Sequence, residues 1–481
     1  MRVFLTGGTG FIGRALVPLL QREGHTVVVW TRSVARARAR LGADIDAVDA
    51  ASGEAGLTAA IDGCDAVINL AGEPVLPGRW TAARRRALRD SRVGLTETLV
   101  RAIAAARRRP RVLVSSSAVG FYGDRGEELL NEASAPGAGF LAQLCEQWEA
   151  AACQAERHGV RVVLVRTGVV LGRDGGALAR MLPPFRLGLG GPLGSGRQYV
   201  PWIHLHDLAA IFVAALTDDR FRGPINAVAP DAVTSREFAG ALGKALGRPA
   251  LLPVPGLALR ALFGEAAGVL LAGQRVEPAA LRAHGFAFAF PTVAPAVADL
   301  LSGTPIAIGP VSALPESGAT GPGRDYLRRR RPAYALRTSM MVRAPIEEAF
   351  SFFSKAENLG LLTPSGMGFS ISGRVPDIQE GTTIDYRLRV GAVPIVWRSR
   401  IVDWRPGERF VDQQERGPYR SWYHEHSFRA VGSSTLMQDC VYYAPPLSLL
   451  GRLANRLFIV PTLQRIFRYR ADVIRLRFGA A

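Results

Sequence analysis

Short apolar runs alternate with amphipathic stretches over roughly the first 230 residues. Residues 3–5, 26–30, 66–70, 111–115 and 161–166 read as buried strands, with helical stretches between them. That rhythm predicts an α/β fold with a parallel, doubly wound sheet. From about residue 231 to 301 the pattern turns mostly helical. Residues 302–334 are rich in Gly, Pro and Ser, end in four arginines at 328–331, and read as a linker.

Beyond 335 the period changes from helical to alternating. Pro345 with Glu347 and Glu348 opens a short helix, placing a proline and two acids in its first turn. Ile384, Tyr386, Leu388 and Val390 then share one strand face. Trp422, His424, His426 and Phe428 form a second such face, and Met437, Asp439, Val441 and Tyr443 a third. A helical stretch from about 447 to 478, interrupted at Pro461, closes the chain. This half reads as α+β with an antiparallel sheet.

At 481 residues the chain exceeds what one hydrophobic core usually organises, so the change of period marks a domain boundary. Cys64, Cys145, Cys153 and Cys440 are scattered with no CxxC pair, which fits a reducing compartment and not a disulfide framework. No signal-peptide pattern or 18-residue apolar run is present, and the expected location is the cytoplasm. The net charge is +18, and only Lys244 and Lys355 among the 59 basic residues are lysines. Arginine clusters at 36–40, 84–86, 107–109 and 328–331 come with no helix-turn-helix, zinc-finger or RNA-binding signature. They read as solvated faces, and no nucleic-acid partner is expected.

The first strand runs directly into Thr6-Gly7-Gly8-Thr9-Gly10-Phe11-Ile12-Gly13. Glycines at 7, 10 and 13 allow a tight turn and close approach of a pyrophosphate, with the following helix N-terminus offering free N–H groups. The second strand ends in Thr31-Arg32-Ser33, with no acid to take a ribose 2′-hydroxyl. An arginine at that position favours a 2′-phosphate, hence NADP(H). Asn69-Leu70-Ala71-Gly72 follows the strand at 66–68, and small residues at that strand end leave room for a cofactor. The segment from Arg166 to Gly172 is placed to line its nicotinamide end.

These motifs resemble the extended short-chain dehydrogenase/reductase superfamily. The stretch from Pro184 through Gln198, then Trp202-Ile203-His204-Leu205-His206-Asp207-Leu208, Phe263-Gly264-Glu265, Leu271 to Val276, Pro278 and Gly285-Phe286 narrow the resemblance to its atypical "epimerase family". It covers about residues 1–301. It implies a Rossmann fold, NADP binding and a helical C-terminal lobe, with no particular substrate. Carried over by motif, the implied cofactor contacts are Gly10, Phe11 and Ile12, then Thr31, Arg32, Leu70, Ala71, Arg92 and Val170, beside Gly7 and Gly13. Residues after about 335 resemble the START-like superfamily of polyketide cyclases and lipid carriers. That implies a helix-grip fold, a curved sheet around a long C-terminal helix, with an apolar cavity for a hydrophobic small molecule.

Short-chain dehydrogenases pair a Ser or Thr with a later Tyr-x-x-x-Lys, in which tyrosine is the acid/base and lysine lowers its pKa. Ser117 in Ser115-Ser116-Ser117 is the best match for the hydroxyl. At the expected spacing the chain carries Leu141 and Cys145, and no Tyr-x-x-x-Lys occurs anywhere. Three readings follow. Another group serves as acid/base, with Tyr122 nearest in sequence and Glu146 and His204 as further candidates; the reaction needs little acid/base help; or the domain binds cofactor without turnover. The expectation is an NADP(H)-dependent oxidoreductase or epimerase-like protein acting on a hydrophobic small molecule. The alternative is a non-catalytic sensor or lipid-binding scaffold.

Trp397, Trp404, Trp422, Tyr423 and Tyr443 suit a hydrophobic cavity and suit core packing equally well. His424 and His426 share a strand face, but no third ligand type stands near them in sequence, and no metal is expected. Leu449, Leu450, Leu453 and Leu457 form one helical face, with Arg452 and Arg456 on another. The expectation is burial of that stripe against the sheet, with weak peripheral contact to an anionic membrane as the alternative.

Overall fold

The computed structural model describes the chain apart from residues 43–44, 77, 174, 303–305, 316, 318–322, 374–376, 392, 447 and 480–481, and apart from the side chains of 302, 365 and 448–450. The chain divides into two compact units, essentially residues 1–301 and 302–481.

The first unit holds β1 (Arg2–Thr6), β2 (Thr26–Thr31), β3 (Asp46–Asp49), β4 (Ala66–Asn69), β5 (Val112–Ala118), β6 (Arg161–Thr167) and β7 (Gly223–Ala227). They form one parallel sheet in the order β7-β6-β5-β4-β1-β2-β3. Val3, Phe4, Leu5, Ala66, Val67 and Ile68 are fully buried. Strands covered on both faces carry continuous apolar runs, which is why they were readable. Sequence patterning missed β3, whose residues are polar or half exposed, and β7, where Gly223 and Pro224 mask the strand. One core face joins Phe4, Val28, Leu57, Ile61, Val67, Leu99, Ile103 and Leu113. The chain order reverses between β1 and β4, and ligands bind outside the strand carboxyl ends at such a point. A second cluster ties Leu178, Leu182 and Trp202 to Phe238, Leu242, Val297 and Leu300, building the mostly helical lobe.

The second unit is an eight-stranded antiparallel sheet. Its strands are β8 (Ile306–Pro310), β9 (Tyr334–Val342), β10 (Ser370–Ile371), β11 (Thr383–Val390), β12 (Val393–Arg405), β13 (Arg409–Arg416), β14 (Ser421–Val431) and β15 (Ser434–Ala444). Their order is β8-β9-β15-β14-β13-β12-β11-β10. A final helix, Val460–Phe478, places Leu463, Phe467, Ile474 and Phe478 against the sheet. Those positions recur at helical spacing and form its buried stripe.

Three expectations need correction. The segment read as linker contributes an edge strand, β8, paired to β9, and a short helix at Arg324–Arg329 that buries Leu327. Its Gly, Pro and Ser content hid the five-residue strand. Pro461 does not break the final helix. It follows a π-helical turn at Asn455–Ile459 flanked by residues that keep helical backbone angles, so the chain runs on as helix through the proline. In the leucine stripe, Leu453 and Leu457 are exposed by 58% and 54% rather than buried, while Leu449 and Leu450 lie outside the described side chains.

Candidate functional site

β1 delivers the chain to a turn that only glycine satisfies. Gly7 has φ +70°, and a Cβ there would stand 2.8 Å from the carbonyl carbon of Leu70, while a Cβ on Gly13 would meet Gly8 O at 2.4 Å. The turn closes through Gly10 N donating to Gly7 O at 2.9 Å. Helix α1 (Phe11–Arg22) then begins with extended Gly10 as its cap, a residue with no side chain of its own to occupy the first N–H groups. Those groups face outward as donors at the positive end of the helix dipole.

The other expected contacts gather around this turn. Leu70 and Ala71 follow β4, and Ala71 N donates to Thr6 Oγ1 at 3.3 Å. Thr6 Oγ1 donates to Asn69 Oδ1 at 2.6 Å, and Asn69 Nδ2 donates to Thr96 Oγ1 at 2.9 Å, itself bonded by Trp148 Nε1 at 3.0 Å. This buried chain locks the ends of β1 and β4 together. Arg92 lies on a π-helical stretch, Asp90–Gly94. A Cβ on Gly72 would stand 3.2 Å from its guanidinium carbon, and burial lowers its pKa. The Phe11 ring fills the space where side chains at Gly172, Gly175 and Gly176 would stand, next to half-exposed Val170. Arg32 is exposed at the end of β2 with no hydrogen-bond partner among the described residues, beside Ser33 and Thr31, whose hydroxyl accepts from Ser33 N at 3.2 Å.

Ser117, Arg166 and Asn226 occupy one row, because β5–β6 register pairs Ser117 with Arg166 and β6–β7 register pairs Arg166 with Asn226. Helix α2 (Phe140–Cys153) adds Glu149. Ser117 Oγ donates to Glu149 Oε1 at 2.6 Å, and Arg166 grips Glu149 with two bonds of 2.8 Å. Arg166 Nη1 donates to the Tyr122 hydroxyl at 3.0 Å, and that hydroxyl reaches Asn226 Oδ1 at 2.7 Å. Both sequence candidates, Ser117 and Tyr122, thus belong to one buried network whose centre, the Glu149–Arg166 pair, sequence reading missed. Tyr122 is fully buried. Burial raises its pKa, with Arg166 and Asn226 opposing the rise only in part. Burial would lower the pKa of Arg166, yet Glu149 more than compensates and raises it.

Leu141 and Cys145, the residues at the spacing of the absent relay, both lie against the turn that follows Ser117. Their atoms lie 3.5 and 3.8 Å from the Cβ position of Gly120, three residues after Ser117. The relay positions therefore hold a methyl-bearing side chain and a thiol pushed up to about 12, mainly by burial. Glu146 is exposed on the outer face of α2. His204 caps the helix Leu205–Thr217 by accepting from His206 N at 3.1 Å, and stacks on Phe290. Ser116, on the opposite face from Ser117, has a buried hydroxyl with no partner among the described residues.

In the second unit the two histidines do have a third partner. β13–β14 register sets Asp412 opposite His424, and β14–β15 register sets Asp439 opposite His426. The cluster occupies the interior for which an apolar cavity was expected. A space of about 10 Å³ opens beside it among Thr338, Met437, Asp439, Phe467, Arg470 and Ile474, enough for about one water.

Residues 3–227 match the NAD dependent epimerase/dehydratase family, and residues 254–300 match a domain of unknown function, DUF1731. The chain is 44% identical over 308 residues to the epimerase family protein SDR39U1 of Bos taurus, covering 63% of this chain and 100% of the relative. It is 42% identical over 304 residues to the chloroplastic SDR39U1 homolog of Arabidopsis thaliana, covering 63% and 87%. The crystal structure of human SDR39U1 (isoform2) with NADPH superposes with a TM-score of 0.57 and 39% identity, over 63% of this chain and 99% of that one. The glycine turn, the strand order and these likenesses converge: the chain belongs to the SDR39U1 epimerase family.

Proposed function

We propose that the first unit binds NADP(H) and acts as an oxidoreductase or epimerase-like protein on a small molecule. One observation carries the cofactor preference: exposed Arg32, without a partner among the described residues, beside Ser33 at the end of β2, where a carboxylate would select the unphosphorylated ribose. The glycine cradle fits a dinucleotide, since side chains at Gly7 or Gly13 would fill it. The relative crystallised with NADPH supports the reading. When bound, the cofactor supplies hydride transfer. Gly10, Phe11, Ile12 and Gly13 then hold the pyrophosphate, Leu70, Ala71 and Arg92 flank the cleft, and Val170 borders the nicotinamide end. Titration with NADPH and NADH tests this in wild type and Arg32→Ala. A lost charge-assisted bond is worth about 1.5–3 kcal/mol, roughly 10- to 150-fold in NADPH affinity with NADH unaffected. No binding of either cofactor, or an unchanged preference in the variant, overturns it.

A second reading, a cofactor-binding sensor without turnover, draws on the enclosed Tyr122 hydroxyl and on Leu141 and Cys145 at the relay positions. Ser117→Ala with Tyr122→Phe separates the two: an enzyme loses rate while keeping most of its NADPH affinity, and a sensor shows no rate to lose.

For the second unit we propose a START-like, helix-grip role in holding a hydrophobic ligand. The long helix Val460–Phe478 lying against an antiparallel sheet supports it. Exposed Leu453, Leu457 and Phe458 near Arg452 and Arg456 support weak contact with an anionic membrane. Among the described residues no helix is long and apolar enough to cross one. A cytoplasmic location is proposed on the scattered free cysteines.

A further inference from the structure

The interior of the second unit concentrates charge where a hydrophobic core should be. His424, His426, Asp439 and Arg470 are each at least nine-tenths buried, with Asp412 beside them. Asp412 Oδ2 stands 3.4 Å from His424 Nδ1 and 3.3 Å from His426 Nε2. All three ligand atoms lie within 4.8 Å of one another. Ligands held about 2.0–2.1 Å from a zinc ion at tetrahedral angles stand roughly 3.3–3.4 Å apart. The two Asp412–histidine distances have that length.

The surroundings match what a metal site needs. Each histidine turns its other nitrogen to the same acceptor, Asp439 Oδ1, at 3.2 Å from His424 Nε2 and 2.6 Å from His426 Nδ1. A carboxylate behind each ring fixes the tautomer and leaves the opposite nitrogen free for a cation. Arg470 Nη2 donates to the same Asp439 oxygen at 3.0 Å, and also reaches His426 Nδ1 at 3.0 Å, a contact in which only the guanidinium can donate, so guanidinium and imidazoles crowd one carboxylate oxygen. Asp412 is oriented in turn: its Oδ1 accepts from Ser399 Oγ at 3.2 Å, which accepts from Trp397 Nε1 at 3.0 Å. Phe410 stacks on His426 at 4.2 Å and shields the group from water.

Charge gives a second, independent argument. With neutral imidazoles, two carboxylates face one guanidinium, and a buried charge imbalance of that kind is costly. The cluster is short of one positive charge. A proton or a metal cation supplies it; edges of 3.3–3.4 Å suit a bridging cation, and titration with metal separates the two.

We propose that Asp412, His424 and His426 bind a divalent transition-metal ion of the zinc class, with Asp439 and Arg470 as its orienting partners. Two nitrogens and one oxygen suit zinc, cobalt or nickel better than calcium or magnesium. Three protein ligands leave a fourth position for water or a ligand oxygen. The proposal is independent of the nucleotide site.

The test uses the untagged full-length chain, stripped with chelator and titrated with Zn(II) against a chromophoric competitor, and with Co(II) by visible absorption. The expected result is about one equivalent bound. Asp412→Asn weakens binding more than ~100-fold, and Asp439→Asn, which keeps all three ligands, weakens it by about 10- to 100-fold. If Asp412→Asn fails to fold, Asp439→Asn still answers the question. Absence of Zn(II) and Co(II) binding in wild type overturns the proposal and leaves a protonated network only. Equal affinity in wild type and both variants overturns it too, by placing the metal elsewhere.

Discussion

Each unit buries an arginine against a carboxylate, and the two pairs are built differently. In the first, Arg166 holds Glu149 through both oxygens, Ser117 and Tyr122 complete the ring of partners, and charge balances one to one. In the second, a single oxygen of Asp439 receives Arg470 and both histidines, and a further carboxylate, Asp412, faces the histidines from the other side. The first network is closed by protein groups alone. The second is open by one cation. A buried polar network is stabilising only when every member is satisfied. This difference predicts opposite responses to mutation and to metal.

The largest effect belongs to the closed network. Glu149→Ala leaves Arg166 buried without its counter-ion, and such a loss costs about 3–5 kcal/mol. Calorimetry of the full chain should show the transition that NADPH shifts falling well below its wild-type temperature, and added Zn(II) should not restore it. An unchanged transition would mean that water already satisfies Arg166.

Removing metal tests the open network. A ligand at 100 times its Kd stabilises the folded state by about 2.7 kcal/mol. Chelation should therefore lower the other transition, the one insensitive to NADPH, by that order, and Zn(II) should restore it. A chelator that lowers both transitions equally would break the contrast between the units.

Legibility followed the same division. The glycine turn, Arg32 and Ser117 are readable because their chemistry is contiguous or tied to one strand end. Glu149 and Arg166 meet because a helix returns over a parallel sheet, and nothing local in Glu146-Gln147-Trp148-Glu149 announces it. A signal did exist: a carboxylate two helical turns beyond Leu141 on the face that carries Cys145, and an arginine inside an otherwise apolar strand. The alternation of His424 and His426 was visible, but their partners come from neighbouring strands whose register the sequence does not state. β8 was lost among glycines and prolines, since a five-residue edge strand needs only its partner's backbone. The exposed Leu453 and Leu457 misled because an apolar stripe shows that a helix has a face, without saying what covers it.

The smallest effect is chemical and reports on the closed network directly. Cys145 lies one helical turn before Glu149 on α2. Its thiol is pushed up to about 12, first by burial, then by the negative charge of Glu149, with Arg92 opposing. The thiolate is the reactive form. At pH 8 a thiol of that pKa is ionised in roughly one molecule in ten thousand, against about a quarter for an ordinary cysteine near 8.5. Alkylation by iodoacetamide, followed by mass spectrometry of the Cys145 peptide, should therefore run roughly a thousand-fold slower in the native protein than in urea. Glu149→Ala both removes the nearby negative charge and opens the packing, so labelling should accelerate. Chelation should leave the rate untouched, because the metal cluster belongs to the other unit. Native labelling as fast as in urea would show that the first network admits solvent, and the distinction between a closed and an open centre would then fail in the first unit.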